Sequence, residues 1–345
     1  MKKISICAIT VLLAMCLLNG AGFAAEKKLA QSGFQFLSVV SDARASAIAE
    51  AMTSLSGGSS SLFFNPAGMA SMNSLIDFTA SLNRWIADIN HSAFSLALNP
   101  AKGRYGVFGL SLQTVDYGDF YGTRVDQTVP QGYVDTEVFS LDATAVGFGY
   151  AQQVTDKFSV GAQIRWVNQD LGKTLIPAYV TVIDTLGNTV VDTTSRATST
   201  DMTPLAFDFG TQFKPGFHSL VFGMSVRNFS KEIKYVEEGF QLPLVFNLGI
   251  SMDVLDLMKN KPTNQSLYVA IDASHYRSHP EQIKIGLDYC LMNKLSLRYG
   301  FISNNDESGS SYGVGIALFG LAFDYAYTPF GIFDNVQRMT VRFSL

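Results

Sequence analysis

The sequence predicts an all-β protein, a 14-stranded antiparallel transmembrane β-barrel with an N-terminal helical/turn plug. Three observations carry that expectation. Hydrophobic residues make up 47% and charged residues 16% of the 345 positions, yet after the N-terminal two dozen residues no apolar run is long enough for a membrane helix. From about Leu75 onward the dominant period is two, with large apolar residues on one face and small, polar or charged residues on the other. Finally, the connections between strands alternate between short and long, as they do in bacterial outer-membrane barrels.

Residues 1–25 read as a secretory signal peptide. Lys2-Lys3 form the positive start, Ile6 to Leu18 the apolar stretch, and the small residues up to Ala25 the cleavage region. Cleavage removes Cys7 and Cys16 and leaves Cys290 alone, so no intramolecular disulfide or cysteine metal cluster can form. Loss of Lys2 and Lys3 moves the formal charge from −4 to −6. That mild acidity argues against nucleic acid as a partner.

Residues 26–74 form the expected plug. Ser41 and Asp42 are N-cap candidates for a short helix of small residues (Ala43, Ala45, Ala47, Ala49, Ala51), which Gly57-Gly58 would stop. Asn65-Pro66-Ala67-Gly68 reads as a rigid tight turn, with φ fixed at Pro66 and a positive φ open to Gly68. Arg44 is the one basic residue between Ser41 and Met69, and it is expected to reach an inward carboxylate.

The remainder, 75–345, is the barrel. Strands are expected at 75–85, 91–98, 105–116, 137–151, 157–170, 204–213, 219–228, 243–253, 266–275, 282–290, 294–302, 311–318, 320–328 and 336–345. The alternation is clearest at the C-terminus, where Met339, Val341, Phe343 and Leu345 oppose Arg338, Thr340, Arg342 and Ser344. With both termini periplasmic, the long connections 117–136, 171–203 and 229–242 fall outside the cell. The turn at 254–265 is the exception, long on the periplasmic side. Within 171–203, a hairpin about Leu186-Gly187-Asn188 should project above the membrane.

Little here points to catalysis. The four histidines have no metal-ligand spacing. Gly309-Ser310-Ser311-Tyr312-Gly313 matches a nucleophile-elbow pattern but feeds a strand instead of a helix. No enzyme activity, cofactor or metal is expected. The charges on the small face are more informative: Asp77, Asp142, Arg165, Asp208, Arg227, Asp272, Lys284, Asp288, Arg298, Asp324 and Arg342. They are read as a paired network filling the lumen, in preference to an ion path. A last hairpin centred on Phe333 would set Asp324 opposite Arg342 and Thr328 opposite Arg338.

Arg44-Ala45 and Asn65-Pro66-Ala67-Gly68-Met69, followed by such a barrel, resemble the PorV/PorQ family of outer-membrane proteins, relatives of FadL-type barrels. Further similarity lies in Arg84-Trp85-Ile86-Ala87-Asp88-Ile89, Val226-Arg227-Asn228-Phe229, Leu242-Pro243-Leu244 and Tyr327-Thr328-Pro329-Phe330-Gly331. Ala47 and Ala49 stand where that family has glycine, which implies a more regular plug helix. Gly57-Gly58 stands where acidic residues are usual. The resemblance implies localisation to the outer membrane of a Gram-negative-type bacterium, with outer-membrane lipid as surroundings. It also implies a type IX secretion role, binding secreted proteins or other secretion subunits through the external loops. The alternative it implies is a FadL-like channel for hydrophobic small molecules.

Overall fold

The structure is a computed structural model that describes residues 32–345 apart from 127–128, 184–188, 236–237, 306–307 and 334. The expected signal peptide and the turn at Leu186-Gly187-Asn188 lie outside the described residues. Seventeen strands follow the plug: β1 (Ile76–Arg84), β2 (Asn90–Leu98), β3 (Val107–Val125), β4 (Tyr133–Thr155), β5 (Phe158–Ile183), β6 (Thr189–Met202), β7 (Leu205–Phe213), β8 (Val221–Phe229), β9 (Ile233–Tyr235), β10 (Glu238–Phe240), β11 (Val245–Asp253), β12 (Gln265–Tyr276), β13 (Gln282–Leu291), β14 (Leu295–Ile302), β15 (Ser310–Leu318), β16 (Leu321–Thr328) and β17 (Val336–Ser344). Fourteen of them form one closed antiparallel barrel. Each pairs with its neighbour in the chain, except that β6, β9 and β10 lie off the wall, and β1 meets β17 to remove the last edge.

Alternation drives the closure. Leu297, Tyr312, Val314, Phe323 and Val341 stand exposed on the outer face, where hydrocarbon rather than water covers them. Their alternate neighbours point inward and are buried against the plug. Phe319, Met292 and Phe217 project from short turns at the periplasmic rim, as anchors at headgroup depth. The long periplasmic turn is stiffened by Lys261, which donates to Asp253 (2.6 Å) and Asp256 (2.5 Å). Those two bonds push its ammonium above the usual lysine range.

Several expectations need correction. The last hairpin pairs Asp324 with Thr340, Ala322 with Arg342 and Thr328 with Val336, two residues from the expected register. The turn is therefore centred on Ile332, and neither Arg342 nor Arg338 stands directly opposite its expected partner, although Arg338 still reaches the Thr328 hydroxyl diagonally. Asp142 is not a lumen charge. Ala143, Ala145 and Gly147 are the inward residues of β4, and Asp142 is exposed on the opposite face, paired with Asp116 and Asp170. Residue type suggested the small face; parity along the strand decides against it. The segment starting at Tyr117 is not a loop, because β3 and β4 continue past bulges near Gly118 (φ 77°) as a ribbon with Phe120 stacked on Phe139 (5.8 Å). Similarly, the β5–β6 ribbon begins as soon as β5 leaves the wall.

A charge at mid-height on the lipid face should be costly and one at the rim should not. We expect Val314→Arg to cost about 2–4 kcal/mol and Asp142→Arg about 0–1 kcal/mol. Reversible unfolding from lipid vesicles measures both; equal costs would place Asp142 inside the hydrocarbon span.

Candidate functional site

The chain enters at the external mouth and threads down the lumen. Ser32 bridges Gln241, and Phe34 stacks on Phe240 of β10 with ring centroids 6.0 Å apart. Phe34, Phe36 and Leu37 pack with Val115, Ala143, Val167, Ala206 and Leu242 in an apolar cluster at that end. Below it, helix α1 (Ala43–Ala47) leans on β14 to β17, with Ala43 and Ala47 fully buried against Ala326. Two 3-10 turns, Gly58–Phe63 and Pro66–Ser71, occupy the periplasmic half before β1 begins.

Asp42 caps α1 as expected, accepting from Ala45 N–H at 2.7 Å. The helix is shorter than expected and ends well before Gly57-Gly58. Glu50 N–H bonds Ala45 carbonyl (2.8 Å), and Ala49 and Glu50 take φ of 55° and 63°. Ala49 thus adopts the left-handed conformation that glycine would favour, at roughly 1–2 kcal/mol, so its alanine does not regularise the helix. The distortion aims Glu50 at Lys284, whose Nζ donates at 2.6 Å and also reaches the Tyr276 hydroxyl at 2.8 Å.

The Asn65-Pro66-Ala67-Gly68 turn is a 3-10 helix, and Gly68 keeps a negative φ. Asn65 does three jobs: Oδ1 accepts from Ala67 N–H (3.1 Å), and Nδ2 donates to Thr53 (2.7 Å) and to Thr211 carbonyl of β7 (3.0 Å). Where this turn meets the wall there is no room for side chains. A Cβ at Gly161 would strike the Pro66–Ala67 peptide, and one at Gly286 would come within 2.7 Å of Ile48 carbonyl oxygen. Gly210, Gly223, Gly300 and Gly313 face the plug in the same manner. Plug backbone and barrel backbone are in direct contact around much of the circumference.

Inward charges hold this seat. Arg44 Nε lies 3.3 Å from Asp288, which with Asp324 also flanks Arg298 (3.1 and 2.6 Å). Asp77 joins Arg342 (2.8 Å) to Ser59 N–H of the plug (2.8 Å). Asp272 accepts from Thr53 N–H at 3.0 Å. Arg165 pairs with Asp208 at 2.8 Å and also donates to Asn228. A bulge in β8, with Asn228 at φ 61°, turns both Arg227 and Asn228 inward. Arg227 donates to Phe63 carbonyl.

Glu50, Thr53 and Arg338 are holding groups outside the expected set. Arg338 donates to Val40 carbonyl (2.8 Å) and Thr328 (3.0 Å) and lies over Trp85, which meets Phe330 edge-on (4.8 Å). Its inward parity beside Arg342 and Thr340 was legible; its plug partner was not. A small cavity of about 20 Å³ lies between plug residues Val39–Asp42 and Phe63–Phe64 and wall residues including Gln113, Arg165 and Arg227. Among the described residues no cluster of His, Cys, Asp or Glu could hold a metal ion.

Comparison with solved structures shows where this architecture recurs. The toluene transporter TbuX of Ralstonia pickettii superposes with a TM-score of 0.58 at 15% identity, over 88% of this chain and 98% of that one. The Pseudomonas putida toluene transporter TodX gives 0.56 at 14%, over 87% and 96%. A Pseudomonas aeruginosa FadL homologue gives 0.53 at 12%, over 88% and 98%. The fold is shared with these non-enzymatic outer-membrane barrels. No family model and no curated protein matches the chain.

Arg298 is the cation shared by Asp288 and Asp324. Arg298→Leu strands the buried Asp324 and leaves Asp288 with Arg44 alone, so we expect a loss of about 3–5 kcal/mol. The double change Arg298→Leu with Asp324→Asn should recover part of it, and equilibrium unfolding would detect the difference.

Proposed function

We propose that this barrel admits hydrophobic small molecules through the outer membrane, with the plug as its gate. The observation that carries the reading is the apolar external mouth. Phe34, Phe36, Leu37 and Leu242, with Tyr117, Ile233 and Phe240 packed around them, form a packed apolar cluster above the hydrogen-bonded part of the plug. A solute that prefers hydrocarbon to water can partition there by replacing side chains of the same character. The likeness in fold to barrels described as toluene transporters supports the same reading. Because plug and wall touch backbone to backbone, passage requires the plug to move.

A second reading keeps the PorV/PorQ resemblance, with secreted proteins or secretion-system subunits as partners. It is favoured by the external β3–β4 ribbon, which exposes Tyr121 (82%) and Val125 (78%) beside Phe120 and Phe139. Crosslinking in native outer membranes distinguishes the two: capture of secreted proteins sharing a C-terminal domain would support a secretion role.

The gate is testable with a plug-to-wall disulfide. Ser59 Oγ and Ser95 Oγ of β2 lie 3.0 Å apart. With both changed to cysteine, we expect toluene uptake by whole cells to fall on oxidation and return on reduction. Equal uptake in both states would remove the plug from the path.

A further inference from the structure

We propose that the cavity between the two halves of the plug is a seat for a small monovalent anion of halide size, held by Arg227. This inference is independent of what the barrel transports. It rests on the partners of one side chain. Arg44, Arg165, Lys284, Arg298 and Arg342 each lie within ion-pair distance of a carboxylate. Arg227 is 9% exposed and has none at that distance among the described residues; Glu50 and Asp272 act on it only at longer range. Its Nη1 donates to the neutral Phe63 carbonyl, its guanidinium lies 5.9 Å from the Phe64 ring centroid, and its Nε has no hydrogen-bond partner. A buried charge without a direct counter-charge is expensive, and the usual remedy is a partner of opposite sign in contact with it.

The cavity supplies the place. Arg227 lines it together with Arg165, a second cation whose guanidinium is paired with Asp208. Gln113 lines it too, with its side-chain oxygen unpartnered, and turning its amide over would present N–H donors to the same point. The one carboxylate on the lining, Asp42, is committed to the Ala45 N–H at 2.7 Å. The volume of about 20 Å³ compares with the roughly 10–15 Å³ that one water requires on the same measure. It therefore suits a single-atom anion and is too small for a carboxylate with a tail. Arg338, the other buried arginine without a carboxylate, borders no such space: its Nε and Nη1 are both hydrogen-bonded. Since the roof (Val39, Val40) and the floor (Phe63, Phe64) both belong to the plug and Arg227 belongs to the wall, an anion there would tie the closed plug to the barrel.

The test uses the purified full-length protein. Crystals grown in sodium bromide should show an anomalous peak within hydrogen-bond distance of Arg227 Nε. The thermal midpoint should be several degrees higher in chloride or bromide than in gluconate, an anion too large for the cavity, at matched ionic strength. Arg227→Gln should abolish that difference. Should Arg227→Gln not fold, Gln113→Glu supplies a fixed carboxylate beside Arg227 and should make stability indifferent to halide. Absence of a bromide peak at Arg227, or equal midpoints of the wild type in halide and gluconate, would overturn the proposal.

Discussion

Direct backbone contact between plug and wall is the constraint on which the rest of the structure depends. An α-helix or a turn carries side chains on all sides, and so does the inner face of a strand. The two can approach to backbone distance only where both give up side chains. The barrel does so at Gly161, Gly286, Gly300 and Gly313, and the plug does so at Ala43, Ala47, Ala49 and Ala67. Glycine in a strand weakens it by leaving nothing to pack. Here the plug supplies the missing packing, so wall and plug each complete the other. That explains why the inward face is small rather than merely polar, a pattern without sense in a water-filled pore.

Close approach then creates an electrostatic problem, because plug backbone groups are removed from water with no secondary structure to satisfy them. The wall answers with long side chains placed between the glycines. Asp272 accepts from Thr53 N–H, Asp77 from Ser59 N–H, and Arg338 and Asn83 donate to Val40 carbonyl. Buried ion pairs contribute little net stability relative to apolar packing, but removing one partner is costly. Charges of this kind specify one arrangement of the plug more than they strengthen it. The strain at Ala49 and Glu50 belongs to the same scheme, since it directs Glu50 to Lys284.

Much of the fold was legible because a membrane barrel writes its geometry at period two. Leu297, Tyr299 and Phe301 could lie only on one face, and the strand boundaries followed within a few residues for most of the wall. What was not legible depended on single-residue offsets. Register in the last hairpin turned on whether the turn centres on Ile332 or Phe333, and nothing in Pro329-Phe330-Gly331 decides that locally. Asp142 has the residue type of the inward face, but near the rim the outer face becomes polar too, so type does not determine its side. The bulge at Asn228 adds one residue to β8, which is why Val226-Arg227-Asn228-Phe229 breaks alternation and still places two polar side chains inside. The plug's contacts were the least accessible, because they pair residues such as Glu50 and Lys284 that are distant in sequence and share no periodicity.

The attachments of the plug also differ from end to end, and this bears on how it could move. The external part, around Phe34, Phe36 and Leu37, is held by apolar contact with Val115, Val167 and Leu242. The deeper part adds hydrogen bonds and charge to its apolar contacts: Leu62, Met69 and Met72 pack on Ala97, Val107 and Ala151, while Asn65 reaches Thr211 carbonyl, Gln212 reaches Leu55 carbonyl, and Arg342 is joined through Asp77 to Ser59. Apolar contacts can be exchanged for contacts with an apolar solute at little net cost, whereas buried polar bonds need water or another polar partner in return. An entering hydrophobic molecule therefore competes first with the external part, and the polar bonds of the deeper part resist it. The deeper part would yield once the lumen above it admits water. The order of events in such a barrel is set by which contacts a solute can imitate, and those at the mouth are mainly of that kind.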